Sequence, residues 1–446
     1  MLRDFCLCLL LVAGCLQCIG QDTAALDLGS CLRYAARHQP GLRASLVNQQ
    51  ITDYQVRGAL SDWYPQLNGT ANIQHNIQLP VGFFPAALVT PGGTGEVALA
   101  SGVSNTSAIG IGATQTLYDR DVMLAAKTAK NYRRYAAESV DSARIDLVVD
   151  VSKAYYDVYT SELQVGILLE DIRRLERSLK DTYNQYQAGV VDKTDYKQAT
   201  IQLNTAKVLY KQAQEAIPAK YAYLKQLIGF PVDSSLRLHA DSTAMVSEAL
   251  MDTSLALDYT KRIEIQSLQT VRQLQIAQYD YQRLGWLPSL SFYYDYALTY
   301  GNTEFGKLYS QNYPNSYLGL TLGIPIFQGF KRIYAMRSAK LGIALVDLRL
   351  EDTRRVINTQ YSQAMAAYRG DLESWQVSQE NISLSKEVYS TVTLQYREGI
   401  KTYLDVITAE SNLRTSEITG LNALFALLSD KMDVLKATGT VNTNID

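Results

Sequence analysis

The sequence predicts an α+β membrane fold in which long α-helical hairpins are duplicated in tandem and four amphipathic strands accompany them in each chain. Three observations carry this. Tyr186–Leu203 (YQAGVVDKTDYKQATIQL) and Tyr396–Leu413 (YREGIKTYLDVITAESNL) share Tyr, Gly, Asp, Ala and Leu at the same five places, 210 positions apart. From Arg120 to Gln187 there is no proline and only one glycine, Gly166, and from Lys331 to Glu398 no proline and two glycines. Outside these stretches, the segments after Pro65 and Pro288 and around Ile111 and Leu320 alternate between apolar and polar residues, the period of an amphipathic strand.

The first element is a leader. In MLRDFCLCLLLVAGCLQCIGQD an apolar run from Phe5 to about Leu16 is too short to span a bilayer but suits a signal-peptide core. Cleavage after Gly20 leaves Gln21 first, giving a leader of residues 1–20. Alternatively Val12-Ala13-Gly14-Cys15 resembles a lipobox, giving a leader of residues 1–14 and a lipidated Cys15. Either reading takes the protein out of the cytoplasm. Four of the five cysteines lie in this region, so Cys31 has no partner for an internal disulfide and is expected as a small buried residue on an N-terminal helix.

Two repeats follow, residues 21–240 and 241–446. Trp63-Tyr64-Pro65-Gln66-Leu67 answers Trp286-Leu287-Pro288-Ser289-Leu290, and Ile109 through Tyr118 answers Leu318 through Phe327. In the first repeat the pattern places strands at about 66–80 and 107–118, a long helix at 119–187 and a second helix at 192–228. In the second it places strands at about 289–301 and 316–327, a long helix at 331–397 and a helix at 402–436. Leu67, Gly69, Ala71 and Ile73 share one face against Asn68, Thr70, Asn72 and Gln74, and Leu318, Leu320, Leu322, Ile324 and Ile326 share another. The repeats differ mainly in the connection over residues 80–106, which is longer in the first and rich in Pro, Gly, Ser and Thr.

Each long helix would measure roughly 100 Å at 1.5 Å per residue. Tyr361, Met365, Tyr368, Leu372, Trp375, Ile382, Tyr389 and Tyr396 mark one apolar stripe, and Leu168, Ile172, Leu175, Leu179 and Tyr186 another, as expected of helices packed on other helices along their length. Flanking positions are polar. Net charge is −2, which offers nothing to a nucleic acid. Tyrosine is abundant, 31 against 9 Phe and 3 Trp, and suits surfaces half wet and half apolar. Aromatic residues cluster near the strand ends (Trp63, Tyr118, Trp286, Tyr300, Phe327), either as a girdle at a lipid–water boundary or as packing at the strand–helix junction. After the leader no stretch approaches the apolar length of a membrane helix. Four strands cannot close a barrel, and open edges are forbidden in lipid, so strands in a membrane require several chains in one barrel.

These features together resemble the TolC family of bacterial outer-membrane efflux and secretion channels. The resemblance covers about residues 26–437. It rests on the duplicated helix–strand–long-helix plan, on Trp-x-Pro-x-Leu before the first strand of each half, and on the twice-used Tyr-x-x-Gly-x5-Asp-x3-Ala-x3-Leu. It implies a homotrimer whose strands share one twelve-stranded outer-membrane β-barrel and whose helices form a hollow α-barrel across the periplasm. It also implies a passive duct in outer-membrane lipid, served by a periplasmic adaptor (membrane fusion protein) and an inner-membrane pump.

The resemblance further implies that the turns at Gly189-Val190 and Gly399-Ile400 form the periplasmic tip, where the adaptor docks and the pore is gated. Asp195 matches the Asp that ties the closed gate, Tyr396 and Lys401 its tyrosine and basic partners, and Asp405 an Asp of the ring that narrows the pore. Thr408 stands where the best-known member has a second Asp, so this end is expected to be less acidic. On the residues alone the glycines serve as helix-terminating turns, Asp195 and Asp405 as helix caps or first-turn acids, and Tyr396 as core packing. Three scattered histidines and the absence of nucleotide, hydrolase or zinc motifs offer no catalytic constellation, so neither an enzyme nor a cofactor is expected. The competing expectation is a periplasmic helical scaffold or adaptor without a pore.

Overall fold

The computed structural model describes residues 26–239 and 242–444; the leader and Cys15 lie outside them. The helices are α1 (Leu28–His38), α2 (Pro40–Ser61), α3 (Arg120–Gln187), α4 (Lys193–Ile228), α5 (Ser242–Ala249), α6 (Ile263–Arg283), α7 (Lys331–Arg397) and α8 (Tyr403–Thr438). The strands are β1 (Gln66–His75), β2 (Val81–Pro85), β3 (Glu96–Ala100), β4 (Asn105–Tyr118), β5 (Ser289–Asn302) and β6 (Asn312–Gly323). α3 and α7 are unbroken over 68 and 67 residues. The described residues divide into two compact units, one within Met1–Val47, Glu138–Gln266 and Asp352–Asp446, the other within Asn48–Ala137 and Ser267–Glu351.

The first unit is helical. Its main core gathers Val151, Tyr155 and Tyr156 of α3, Leu224 and Ile228 of α4, Tyr368 of α7, and Leu427 and Leu428 of α8. Cys31 and Ala35 of α1 are buried in the same core. Buried and half-buried tyrosines bring hydroxyls that need partners. The Tyr155 hydroxyl donates to the His239 carbonyl at 2.8 Å, Tyr361 to the Leu255 carbonyl at 2.6 Å, and Tyr368 to the Ala249 carbonyl at 3.0 Å. The end of α8 is satisfied by a buried cation. Arg262 donates to the carbonyls of Lys436 and Ala437, both at 2.9 Å, while its other nitrogens hold Glu264. The arginine therefore sits at the negative end of the helix dipole, with its charge offset by a carboxylate.

The second unit is built on a four-stranded antiparallel sheet in the order β1-β4-β5-β6. The central pairing, β4 with β5, joins the two repeats: Ile109 faces Leu298, Ile111 faces Tyr296 and Ala113 faces Tyr294. Because pairing keeps side chains of facing residues on one side of the sheet, the apolar positions line up across all four strands. Leu67, Ala113, Tyr294 and Leu318 form one such row. The opposite face carries Asn68, Gly112, Asp295 and Tyr317 in register. One end of the sheet is fastened by Asn105, whose amide donates to the carbonyls of Asn302 and Thr303, both at 3.1 Å. Strands β1 and β6 are the edges.

Two strands stop short of the expected spans. β1 ends at His75 instead of about residue 80, because its partner β4 begins at the facing residue Asn105. β6 covers Asn312–Gly323 instead of 316–327. Its last pair is Gly323 with Ser289; before Ser289 stands Pro288, which has no N–H for a ladder, and Pro325 repeats the defect on the other strand. The Pro/Gly-rich connection in the first repeat is itself a hairpin, β2 paired with β3, which the composition did not reveal.

Candidate functional site

The two repeated segments fold into the same turn, once between α3 and α4 and once between α7 and α8. The Gly189 N–H donates to the Tyr186 carbonyl at 3.0 Å and the Val190 N–H to the Gln185 carbonyl at 2.8 Å. Gly399 and Ile400 repeat this on Tyr396 and Gln395, at 3.0 and 2.9 Å. This is the Schellman pattern, which requires a left-handed residue just past the helix. Gly189 and Gly399 supply it with φ of 74° and 75°. Nothing lies within 4 Å of where a Cβ would be at either position, so dihedral strain rather than crowding explains glycine.

The following helices start with different caps. Asp192 caps α4, its carboxylate accepting from the Thr194 N–H at 2.9 Å. Thr402 caps α8 in a reciprocal capping box: the Asp405 carboxylate accepts from the Thr402 N–H at 2.9 Å. Those hydrogen bonds hold the Asp405 carboxyl below its ordinary pKa. Asp405 is thus the N3 residue of the box, three positions after the cap, and Asp195 is the first-turn acid of α4. The turns leave apolar side chains uncovered: Val190 and Ile400 are each 72 % exposed, and Leu404 of α8 is exposed as well.

Behind the turns the two hairpins meet in a small core of Ala199, Tyr403, Val406 and Ile407, backed by Leu179, Tyr389, Val392 and Tyr396. The Tyr396 hydroxyl donates to Gln185 Oε1 of α3 at 2.6 Å, and the Tyr403 hydroxyl lies 3.0 Å from Ser178 Oγ. Burial pushes both phenols above their ordinary pKa, so both hydroxyls keep their protons. The Tyr396 ring thus packs on this small core while its hydroxyl reaches α3. Lys401 Nζ sits 3.9 Å from Asp405 Oδ1, within its own turn. Asp195 is close enough for its charge to oppose ionisation of Tyr396. The structure thus gathers Tyr396, Tyr403 and Gln185 in one contact, with Lys401 and Asp405 paired beside it.

One cluster escaped the sequence reading. Asp171 of α3, fully buried, pairs with Arg174 at 3.3 Å and with Arg414 of α8 at 3.1 Å. Arg174 also approaches Glu410 at 3.6 Å and Glu417 at 3.8 Å. Glu410 is buried beside these charges, and desolvation, then the Asp171 charge, pushes its carboxyl up to about 7. The signal was present: Tyr403, Val406, Ile407, Glu410 and Leu413 follow helical spacing, and Glu410 is the acid on that buried face. Among the described residues no group of three or more His, Cys, Asp or Glu side chains is placed to hold a metal, and no helix is long and apolar enough to cross a membrane.

Comparison with known proteins adds the following. The family model described as outer membrane efflux protein matches residues 32–230 and 260–440. The chain is 24 % identical over 422 residues to the probable efflux pump outer membrane protein TtgC of Pseudomonas putida, covering 90 % of this chain and 83 % of that one. It is 20 % identical over 446 residues to outer membrane protein TolC of Vibrio cholerae, covering 97 % and 95 %. The crystal structure of the outer membrane protein VceC of Vibrio cholerae superposes with a TM-score of 0.72 at 14 % identity, covering 92 % of this chain and 96 % of that one.

Proposed function

The chain belongs to the outer membrane efflux protein family, and from that premise we propose that it is a passive export duct of the bacterial outer membrane. Three copies share one twelve-stranded barrel, their long helices extend into the periplasm, and substrate passes from an inner-membrane pump and a periplasmic adaptor to the exterior. The observation that carries this reading is the sheet. Its four strands present an apolar row on one face and Asn, Thr and Asp side chains on the other, and among the described residues its edge strands β1 and β6 have no outer partner. Such a sheet can reside in lipid only when further copies pair with both edges.

In this reading the turns at Gly189-Val190 and Gly399-Ile400 dock the adaptor through their exposed apolar side chains. The contact of Tyr396 with Gln185 holds the two hairpins together in the closed gate, and Lys401, Asp405 and Asp195 set the charge around it. The experiment is extraction and conductance. The protein should leave outer membranes only with detergent, cross-link to a trimer and conduct ions in a planar bilayer. A monomer released in the periplasmic extract, without conductance, would favour a helical scaffold and sink the duct.

A further inference from the structure

We propose that the junction between β6 and α7 binds an anionic phospholipid of the membrane leaflet on the helix side, with the headgroup phosphate held by Arg332 and Lys331 and an acyl chain lying on Trp286, Phe327 and Phe330. The proposal rests on the strands lying in a membrane, as the proposed duct requires.

The geometry comes from the early end of β6. Past Gly323 the chain continues without strand or helix through Ile324-Pro325-Ile326-Phe327-Gln328-Gly329-Phe330 before α7 begins at Lys331. This segment extends the exposed apolar row Leu318, Leu320 and Leu322, and it is itself uncovered, with Ile326 94 %, Phe327 78 % and Phe330 60 % exposed. Together with Trp286 and Ile333 it lines a cavity of about 400 Å³, within the size range of small-molecule sites. The backbone is held in an unusual form to make it. Phe330 has φ of 66°, directly after Gly329 at 56°, a region that bulky residues rarely enter. Phe330 turns its ring edge-on to Phe327, centroids 6.0 Å apart, yet the chain does not bury it. A strained backbone that displays an aromatic pair to the outside points to a partner beyond the chain.

The charges select that partner. The first turn of α7 contains Lys331 and Arg332 and no acid, an arrangement opposed by the helix dipole and relieved by an anion. Gly285 lets two arginines approach: a Cβ there would lie 2.6 Å from Arg120 Nη1 and 3.2 Å from Arg332 Cδ. Arg120 is already engaged, with its guanidinium 4.4 Å from the Tyr281 ring centre and its Nε 4.0 Å from Asp121. Among the described ion pairs none involves Arg332. The first repeat lacks this site. Its matching segment, Leu117-Tyr118-Asp119-Arg120-Asp121, carries two acids where the second has Gln328 and Phe330. A cation beside exposed aromatics at the end of a lipid-facing row suits a phospholipid, which supplies both the phosphate and the chain. A neighbouring copy of this chain would cover the apolar part alone.

The test is tryptophan quenching. Protein is reconstituted into phosphatidylcholine vesicles containing a small fraction of brominated-acyl phosphatidylglycerol or, separately, brominated phosphatidylcholine. Trp286→Phe identifies the component due to Trp286 among the three tryptophans. Brominated phosphatidylglycerol should quench that component at least about twofold more than phosphatidylcholine, and Lys331→Gln with Arg332→Gln should erase the difference while leaving general quenching. Equal quenching by both lipids overturns the site in favour of bulk lipid, and no quenching in a conducting channel overturns it in favour of a neighbouring copy. Failure to insert or conduct would refute the duct itself, and the lipid site with it.

Discussion

Replacing Glu410 by Gln should stabilise the helical unit at about pH 8 and leave it nearly unchanged at about pH 4. Glu410 is 2 % exposed, and its carboxylate meets Arg174 only at 3.6 Å, too far for a hydrogen bond. Burial, with the neighbouring charge of Asp171, outweighs Arg174 and Arg414 and raises its pKa from 4.5 to about 7. The folded state therefore holds this proton more tightly than the unfolded chain does. Its contribution to stability is fully present below pH 4.5 and is lost as pH climbs through about 7. At about 1.36 kcal/mol per pKa unit the effect is at most about 3 kcal/mol. Gln retains the shape and removes the charge. Asp430, raised to about 6 by burial and by Asp371, and Asp150, also raised by burial, titrate in the same unit. The difference between wild type and variant at each pH isolates Glu410. Urea midpoints from far-UV circular dichroism across this range provide the measurement. A variant that is less stable than wild type at about pH 8 would refute the reasoning, because the attraction to Arg174 would then exceed the cost of burying the charge.

Three further outcomes are expected. Asp171→Ala leaves Arg174 and Arg414 without their buried partner and should cost about 3–5 kcal/mol in the same urea assay; a loss below about 1 kcal/mol would mean that water reaches the network. Gly189→Ala or Gly399→Ala meets no steric contact but forces an L-residue into the left-handed region, so each should cost about 1–2 kcal/mol, checked by thermal melting. Tyr396→Phe with Lys401→Ser removes the hydroxyl that reaches Gln185 and the cation beside Asp405, and single-channel conductance should rise; unchanged conductance would reject the gate assignment while leaving the duct intact.

Much of this architecture is local and so was legible in the chain. A period of two named the residues on each face of the strands, and pairing then set Leu67, Ala113, Tyr294 and Leu318 in one row. The long stretches free of proline became α3 and α7, and the repeated glycines became the two Schellman turns. Each of these depends on neighbours a few positions away, through helix geometry, strand alternation and the freedom of glycine at positive φ. Partners and endpoints depended on residues far away in sequence. β6 ends where β5 begins, the connection after β1 pairs as a hairpin, and Tyr396 finds Gln185 on another helix. Spacing places Glu410 on the apolar face of α8, but its charged surroundings exist only once Tyr389, Asp171 and Arg174 close around it. The repeated segment, Tyr186–Leu203 and Tyr396–Leu413, thus determined by itself that two like turns exist. Only the packing of one hairpin on the other decided which of their side chains meet, since burial and register are properties of surfaces brought together by folding.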